Sequence, residues 1–171
     1  GVIQAVAFHS YLDSAKDAAF QSEYNARMTS LGAARGIEVL SDPRQVYAME
    51  QERREQYLAR IRPLRAEIDS VLNDFSAPPV DVGDFVDHID YLVGLIGIDH
   101  VGIASDFDGG GGVTGWNHAG QTFNVTLELV RRGYSEEQIA LLWGGNLLRV
   151  MEEARVVGER IRQRGRGSAA R

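Results

Sequence analysis

Apolar positions along the chain follow two patterns, one with the period of a strand and one with the period of a helix. Val2 to Phe8 reads VIQAVAF, apolar except for Gln4, which predicts a strand buried on both faces. Residues 10 to 35 are Ala-rich with scattered charges and predict a loop followed by a helix. From 43 to 73 the pattern is sharper. Tyr57, Ile61, Leu64, Ile68 and Val71 recur at alternating spacings of four and three, one apolar stripe on a highly charged helix. Ser41 or Asp42 is placed to cap it, and Pro43 suits its first turn. Pro63 falls inside the pattern and predicts a kink or a division of the helix there. SAPPVDVG then reads as a loop.

The second half alternates more quickly. Phe85, Val86, Ile89, Leu92, Val93 and Ile96 share one helical face, with Gly97 as the stop. Val101 to Ala104 predicts a second buried strand, ending at Ser105 and Asp106. Residues 122 to 132 predict a helix closed by Arg131, Arg132 and Gly133. SEEQ at 135–138 is a capping box that launches a helix through Trp143, interrupted by Gly144 and Gly145 before a last helix. The segment 155–171 is basic and predicts a flexible tail. Two buried strands separated by helices imply an α/β fold with parallel strands. Two strands cannot close a barrel, so the chain is expected to be incomplete on its own.

Charge and composition narrow the function. The 171 residues carry 18 Lys and Arg against 24 Asp and Glu, a net charge of −6. Non-specific nucleic-acid binding depends on cations that neutralise phosphates, so no nucleic-acid partner is expected. No apolar run approaches the roughly 20 residues that span a bilayer, so no membrane contact is expected from this segment. The chain has no cysteine, which removes disulfides and thiolate metal ligands.

The candidate chemistry centres on ASDFDGGGG, where two acids precede four consecutive glycines. Asp106 stands at the C-terminal end of a predicted strand, the end that carries active sites in α/β barrels and open α/β sheets. A carboxylate there can take a proton from water and return it to a leaving group. The alternative is an Asp that caps the turn. Asp108, deeper in the loop, is expected to hold the backbone N–H groups of the glycine run. A calcium loop counted from Asp106 fails, because Gly110 and Asn117 stand where the fifth and twelfth ligands belong. No kinase motifs accompany DFDG, and neither glycine pair matches a phosphate loop. His88 and Asp90 have H-x-D spacing, but on a helix they diverge by about 200° and cannot share one ion. They read as a solvated helix face. His9, His100 and His118 form no self-contained zinc set. Tyr11 follows the first strand and, if the strands are parallel, shares an end of the sheet with Asp106. It either lines a pocket or sits on the surface.

Two stretches carry a family resemblance. VDHIDYLVGLIGIDHVGIASDFDGGGG and NVTLELVRRGYSEEQIALLWGGNLLRVMEE resemble the C-terminal part of the membrane (renal) dipeptidase family of zinc metallodipeptidases, over about residues 82 to 154. GVIQAVAFHSYL resembles the family's seventh strand more loosely, and residues 13 to 80 match the helical insertion of some bacterial-type members. The resemblance implies the C-terminal portion of a (β/α)8 TIM-type barrel of the amidohydrolase kind over 1–154. It implies dipeptide hydrolysis with two zinc ions, whose ligands all precede the seventh strand, so no metal ligand is expected in this chain. It matches Asp106 to the acid that accepts a proton from the metal-bridging water and passes it to the departing amine. It matches Tyr11 to a pocket-lining tyrosine that meets substrate. The partners it implies are a dipeptide, the missing N-terminal part of the barrel, and a second copy in a homodimer. The rival reading is a non-catalytic fragment or helical binding module derived from that family, with the helix at 43 to 73 as its interface.

Overall fold

The computed structural model describes residues 1–168, so the last three residues of the basic tail expected at 155–171 lie outside the described residues. The chain divides into two compact units: Gly1–Leu12 together with the chain from Val80 onward, and Asp13–Pro79.

The first unit is built on two parallel strands, β1 (Ile3–Val6) and β2 (Val101–Ala104), in the register Ile3 to Val101 through Val6 to Ala104. Parallel neighbours need a crossover, and the helix that packs on them is α5 (Val82–Ile96). Asp81 caps α5 by accepting from the N–H groups of Gly83 and Asp84, while the Asp84 carboxylate accepts from Asp81 N–H. Its apolar face is the expected one: Phe85, Val86, Ile89 and Leu92 are buried, and Val93 and Ile96 pack beside them. Gly97 stops the helix with φ of 84°.

One face of β1 carries Ala5 and Ala7 into the core with Val101, Val113 and Trp116. Burial on both faces does not hold: Gln4 and Val6, on the face opposite Ala5, are only half-buried because no layer of this unit covers them, and Ile3, on the Ala5 face at the start of the strand, is 51% exposed. Gln4 lies across the ladder from Gly102, where a Cβ would come within 2.7 Å of the Gln4 Cδ, so the glycine makes room for the amide.

The remaining α-helices of this unit are a single turn α1 (His9–Leu12), α6 (Thr122–Arg131), α7 (Glu136–Ala140) and α8 (Asn146–Ser168). Ser135 and Gln138 close the expected capping box at the start of α7. The glycine pair does not end the helix. It forms a wide turn, Leu141–Gly145, in which Gly144 leaves helical geometry before α8 resumes. Asn146, fully buried, donates from Nδ2 to the carbonyls of Ile98 (2.7 Å) and Val101 (2.9 Å), tying α8 to the entry of β2.

The second unit holds α2 (Ser14–Ala34), α3 (Pro43–Tyr47) and α4 (Gln51–Asp69). Its core is Met28, Ile61, Leu64, Ile68 and Phe75, with Tyr57 and Val71 packed against it, which is the stripe expected from the sequence. Asp42 caps α3 and Pro43 begins it. The expected division at Pro63 does not occur. The helix runs through Pro63 and the interruption falls at Ala48–Glu50, ahead of the apolar stripe. Pro63 removes one backbone hydrogen bond. The burial of Ile61 and Leu64 on either side of it holds the helix together.

Candidate active site

β2 ends at Ala104, and the loop Ser105–Gly112 leaves it at the C-terminal edge of the sheet. The ladder continues past the named strands: Ala7 N–H donates to Ala104 C=O (3.0 Å), and Gly112 N–H donates to Ala7 C=O (2.7 Å). The loop is therefore anchored to the end of β1 as well as β2.

Within it, Asp106 and Asp108 both adopt positive φ, 52° and 64°, a left-handed conformation that Asp tolerates better than most residues. The Asp106 carbonyl accepts from the N–H groups of Gly109 (3.1 Å) and Gly111 (2.9 Å). Asp108 was expected to hold these glycines. The backbone of Asp106 does so instead, because the left-handed turn points its carbonyl back into the loop.

The D-F-D order sorts by face. Phe107 turns inward and meets the Trp116 ring edge-on at 5.3 Å, while Asp106 and Asp108 are exposed. Trp116 is itself fixed against Phe85 (5.3 Å) and Trp143 (5.9 Å), and its Nε1 donates to Thr122 Oγ1 (3.1 Å). An aromatic wedge thus pins the loop to the core, and the two carboxylates stand outside it. Among the described residues no hydrogen bond reaches the Asp106 carboxylate. A carboxylate so placed keeps its lone pairs for a substrate or a water.

Tyr11 lies at the same end of the sheet, 70% exposed, with its ring 4.8 Å from that of Phe8. The Phe8 ring also faces the glycine run, 3.3 Å from the place a Gly110 Cβ would take. Phe8 therefore stands between Tyr11 and the Asp106 loop. In the sequence Phe8 reads only as the last apolar residue of a strand, and its position at the end of β1 is the signal that marks it.

Three of the histidines are engaged with other groups. The His118 ring accepts from Gly120 N–H, His100 Nδ1 lies 2.9 Å from the Gly1 carbonyl oxygen, and His88 stacks on Tyr91. Asp90 is not the solvated acid the helical pattern implied. It accepts from Tyr134 Oη (2.6 Å) and Arg132 (2.7 Å), while Arg132 also reaches Asp87, Glu128 and the Gly83 carbonyl. These charged hydrogen bonds raise the Arg132 pKa against the opposing effect of burial. Burial and then the Asp90 contact raise that of Tyr134.

The sequence model of the membrane dipeptidase family, peptidase family M19, matches residues 1–165. The chain belongs to that family. Dipeptidase ataJ of Aspergillus terreus is 44% identical over 84 residues, 48% of this chain and 20% of the fungal protein. Dipeptidase 3 of Rattus norvegicus is 35% identical over 81 residues, 47% of this chain and 17% of the rat protein. The crystal structure of the probable dipeptidase PvdM from Pseudomonas aeruginosa superposes with a TM-score of 0.51 at 35% identity, covering 87% of this chain and 36% of that one. The chain thus spans little more than a third of the solved relative and about a fifth of the curated ones.

Among the described residues no three His, Asp or Glu side chains gather where they could hold a metal ion. The zinc implied by the family resemblance finds no donor set within these residues. No helix among them is long and apolar enough to cross a membrane.

Proposed function

We propose that this chain forms the C-terminal portion of a (β/α)8 barrel that hydrolyses dipeptides, with β1 and β2 as its seventh and eighth strands. Asp106 takes a proton from the attacking water and delivers it to the departing amine. Tyr11 lines the substrate pocket. The zinc ions would be held by ligands that precede β1 in the barrel.

The observation that carries this reading is the placement of Asp106. Its carboxylate is exposed at the C-terminal edge of a parallel sheet and has no hydrogen-bond partner among the described residues. Proton transfer by a positioned carboxylate contributes about 10²–10⁴ in rate.

The test is reconstitution. The chain is mixed with the N-terminal portion of the Pseudomonas aeruginosa relative, and release of free amino acids from dipeptides is followed. Hydrolysis that requires both pieces supports the reading. Hydrolysis by the N-terminal portion alone, unchanged by adding this chain, contradicts it.

A further inference from the structure

The 13–79 unit has its own core. A groove of about 340 Å3 opens between the segment after α2 and the first turns of α4. That volume is in the range of small-molecule sites, roughly 300–1,000 Å3.

The groove is built by defined contacts. Gly36, with φ of 63°, turns the chain at the end of α2, and Ile37 N–H donates to Gly32 C=O (2.8 Å). A Cβ at Gly32 would lie 2.7 Å from the Ile37 carbonyl oxygen, so only glycine lets residues 37–40 fold back along α2. Two contacts from α4 then hold the far wall. Tyr57 Oη accepts from Leu40 N–H (3.0 Å), and Arg60 donates to the Gly36 carbonyl (3.1 Å).

The lining is chemically divided. Ile37, Leu40 and Met49 give an apolar floor, while Glu38 and Arg53 bring opposite charges from different walls. Arg60 and Tyr57 are occupied in holding the groove open. Glu38 and Arg53 are exposed and make no ion pair or side-chain hydrogen bond, with each other or with any other described residue.

We infer that this groove binds a zwitterionic amino acid or short peptide with an aliphatic side chain. The Arg53 guanidinium takes the carboxylate, the Glu38 carboxylate takes the ammonium, and Ile37, Leu40 and Met49 take the hydrocarbon. A fatty carboxylate would meet Arg53 alone and an alkylamine Glu38 alone, so a ligand carrying both charges makes one charged contact more than either. The site is separate from the Asp106 loop in sequence and chemistry, and binding there needs neither Asp106 nor a metal.

The test uses the full chain and three probes of nearly the same shape: L-leucine, 4-methylpentanoate without the ammonium, and 3-methylbutylamine without the carboxylate. Amide chemical shifts are followed by NMR. Leucine is expected to move the signals of residues 37–40 and 49–60, with both analogues about tenfold weaker or more. Arg53→Gln and Glu38→Gln, both at exposed positions, should each weaken leucine about tenfold. Asp106→Asn should leave it unchanged, which separates this site from the proposed hydrolytic one. No shift at about 20 mM leucine, equal binding of the analogues, or leucine binding unaffected by both charge substitutions would overturn the inference.

Discussion

Gly111 lies directly against Asp106: a Cβ on Gly111 would stand 2.6 Å from the Asp106 Cβ and 2.8 Å from its carbonyl oxygen. The glycine run is thus shaped around the aspartate that precedes it. Gly109 repeats the relationship, since its Cβ would stand 2.5 Å from Asp106 Oδ1. Gly111→Ala must move either the loop or Asp106, and is expected to cost about 1–3 kcal/mol. Urea unfolding measures it; a midpoint equal to that of the parent chain would show that the loop relaxes freely.

Asn146 predicts a larger effect from a smaller change. Its Nδ2 serves two carbonyls, at Ile98 and Val101, in a fully buried position. Asn146→Ala leaves those acceptors without their donor, at about 1–3 kcal/mol. Asn146→Asp replaces the donor with an acceptor that faces both carbonyls, and should destabilise more than the alanine. The order of the two urea midpoints is the check; an aspartate variant as stable as the parent would mean that Nδ2 is not the group that matters.

Acid should loosen the 13–79 unit. The Glu23 carboxylate accepts from the Ser76 hydroxyl (2.7 Å), Arg27 and the Ala77 N–H (3.1 Å), and these hydrogen bonds lower its pKa from 4.5 to about 2. A carboxylate with a depressed folded pKa stabilises fully above its unfolded value, and that contribution disappears as pH falls through the folded one. Stability should therefore decline between about pH 4.5 and 2, with a shallower slope in Glu23→Gln. NMR titration of the Ser76 and Ala77 amides reports the same group. Amides that titrate near 4.5 would contradict the depressed value.

Arg132 joins α5 to the end of α6 through Asp87, Asp90, Glu128 and the Gly83 carbonyl. Its side chain is 24% exposed, so the loss on Arg132→Ala is discounted for solvent and is expected at about 1–3 kcal/mol. Amide hydrogen exchange should quicken in α5 and α6 and remain unchanged in α4. Uniform quickening across the chain would show a global rather than a local effect.

Much of the local structure was legible because it depends on neighbours in sequence. The stripe from Tyr57 to Val71, the apolar face from Phe85 to Ile96 and the Ser135 capping box all follow from spacing. What escaped depends on distant partners. Pro63 reads as a breaker, yet Ile61 and Leu64 are packed tightly enough to carry the helix past it. Asp90 reads as solvated until Arg132 and Tyr134, more than 40 residues later, are placed beside it. At the candidate site, the position of Asp106 after a strand was readable. The role of its carbonyl in holding the glycines was not, because a backbone acceptor leaves no trace in residue type. Phe8 was likewise hidden, since its contact with Gly110 joins the ends of two strands far apart in the chain.

The central claim is that Asp106, and not its neighbour in the same loop, moves the proton. The direct measurement is dipeptide hydrolysis by the reconstituted enzyme carrying Asp106→Asn or Asp108→Asn, with metal content and circular dichroism recorded for each. Both residues are exposed and share the same backbone conformation, so each variant controls for the other. The account predicts a loss of about 10²–10⁴ in kcat for Asp106→Asn, with metal retained, and little change for Asp108→Asn. Full activity in Asp106→Asn, or an equal loss in both variants, would contradict it.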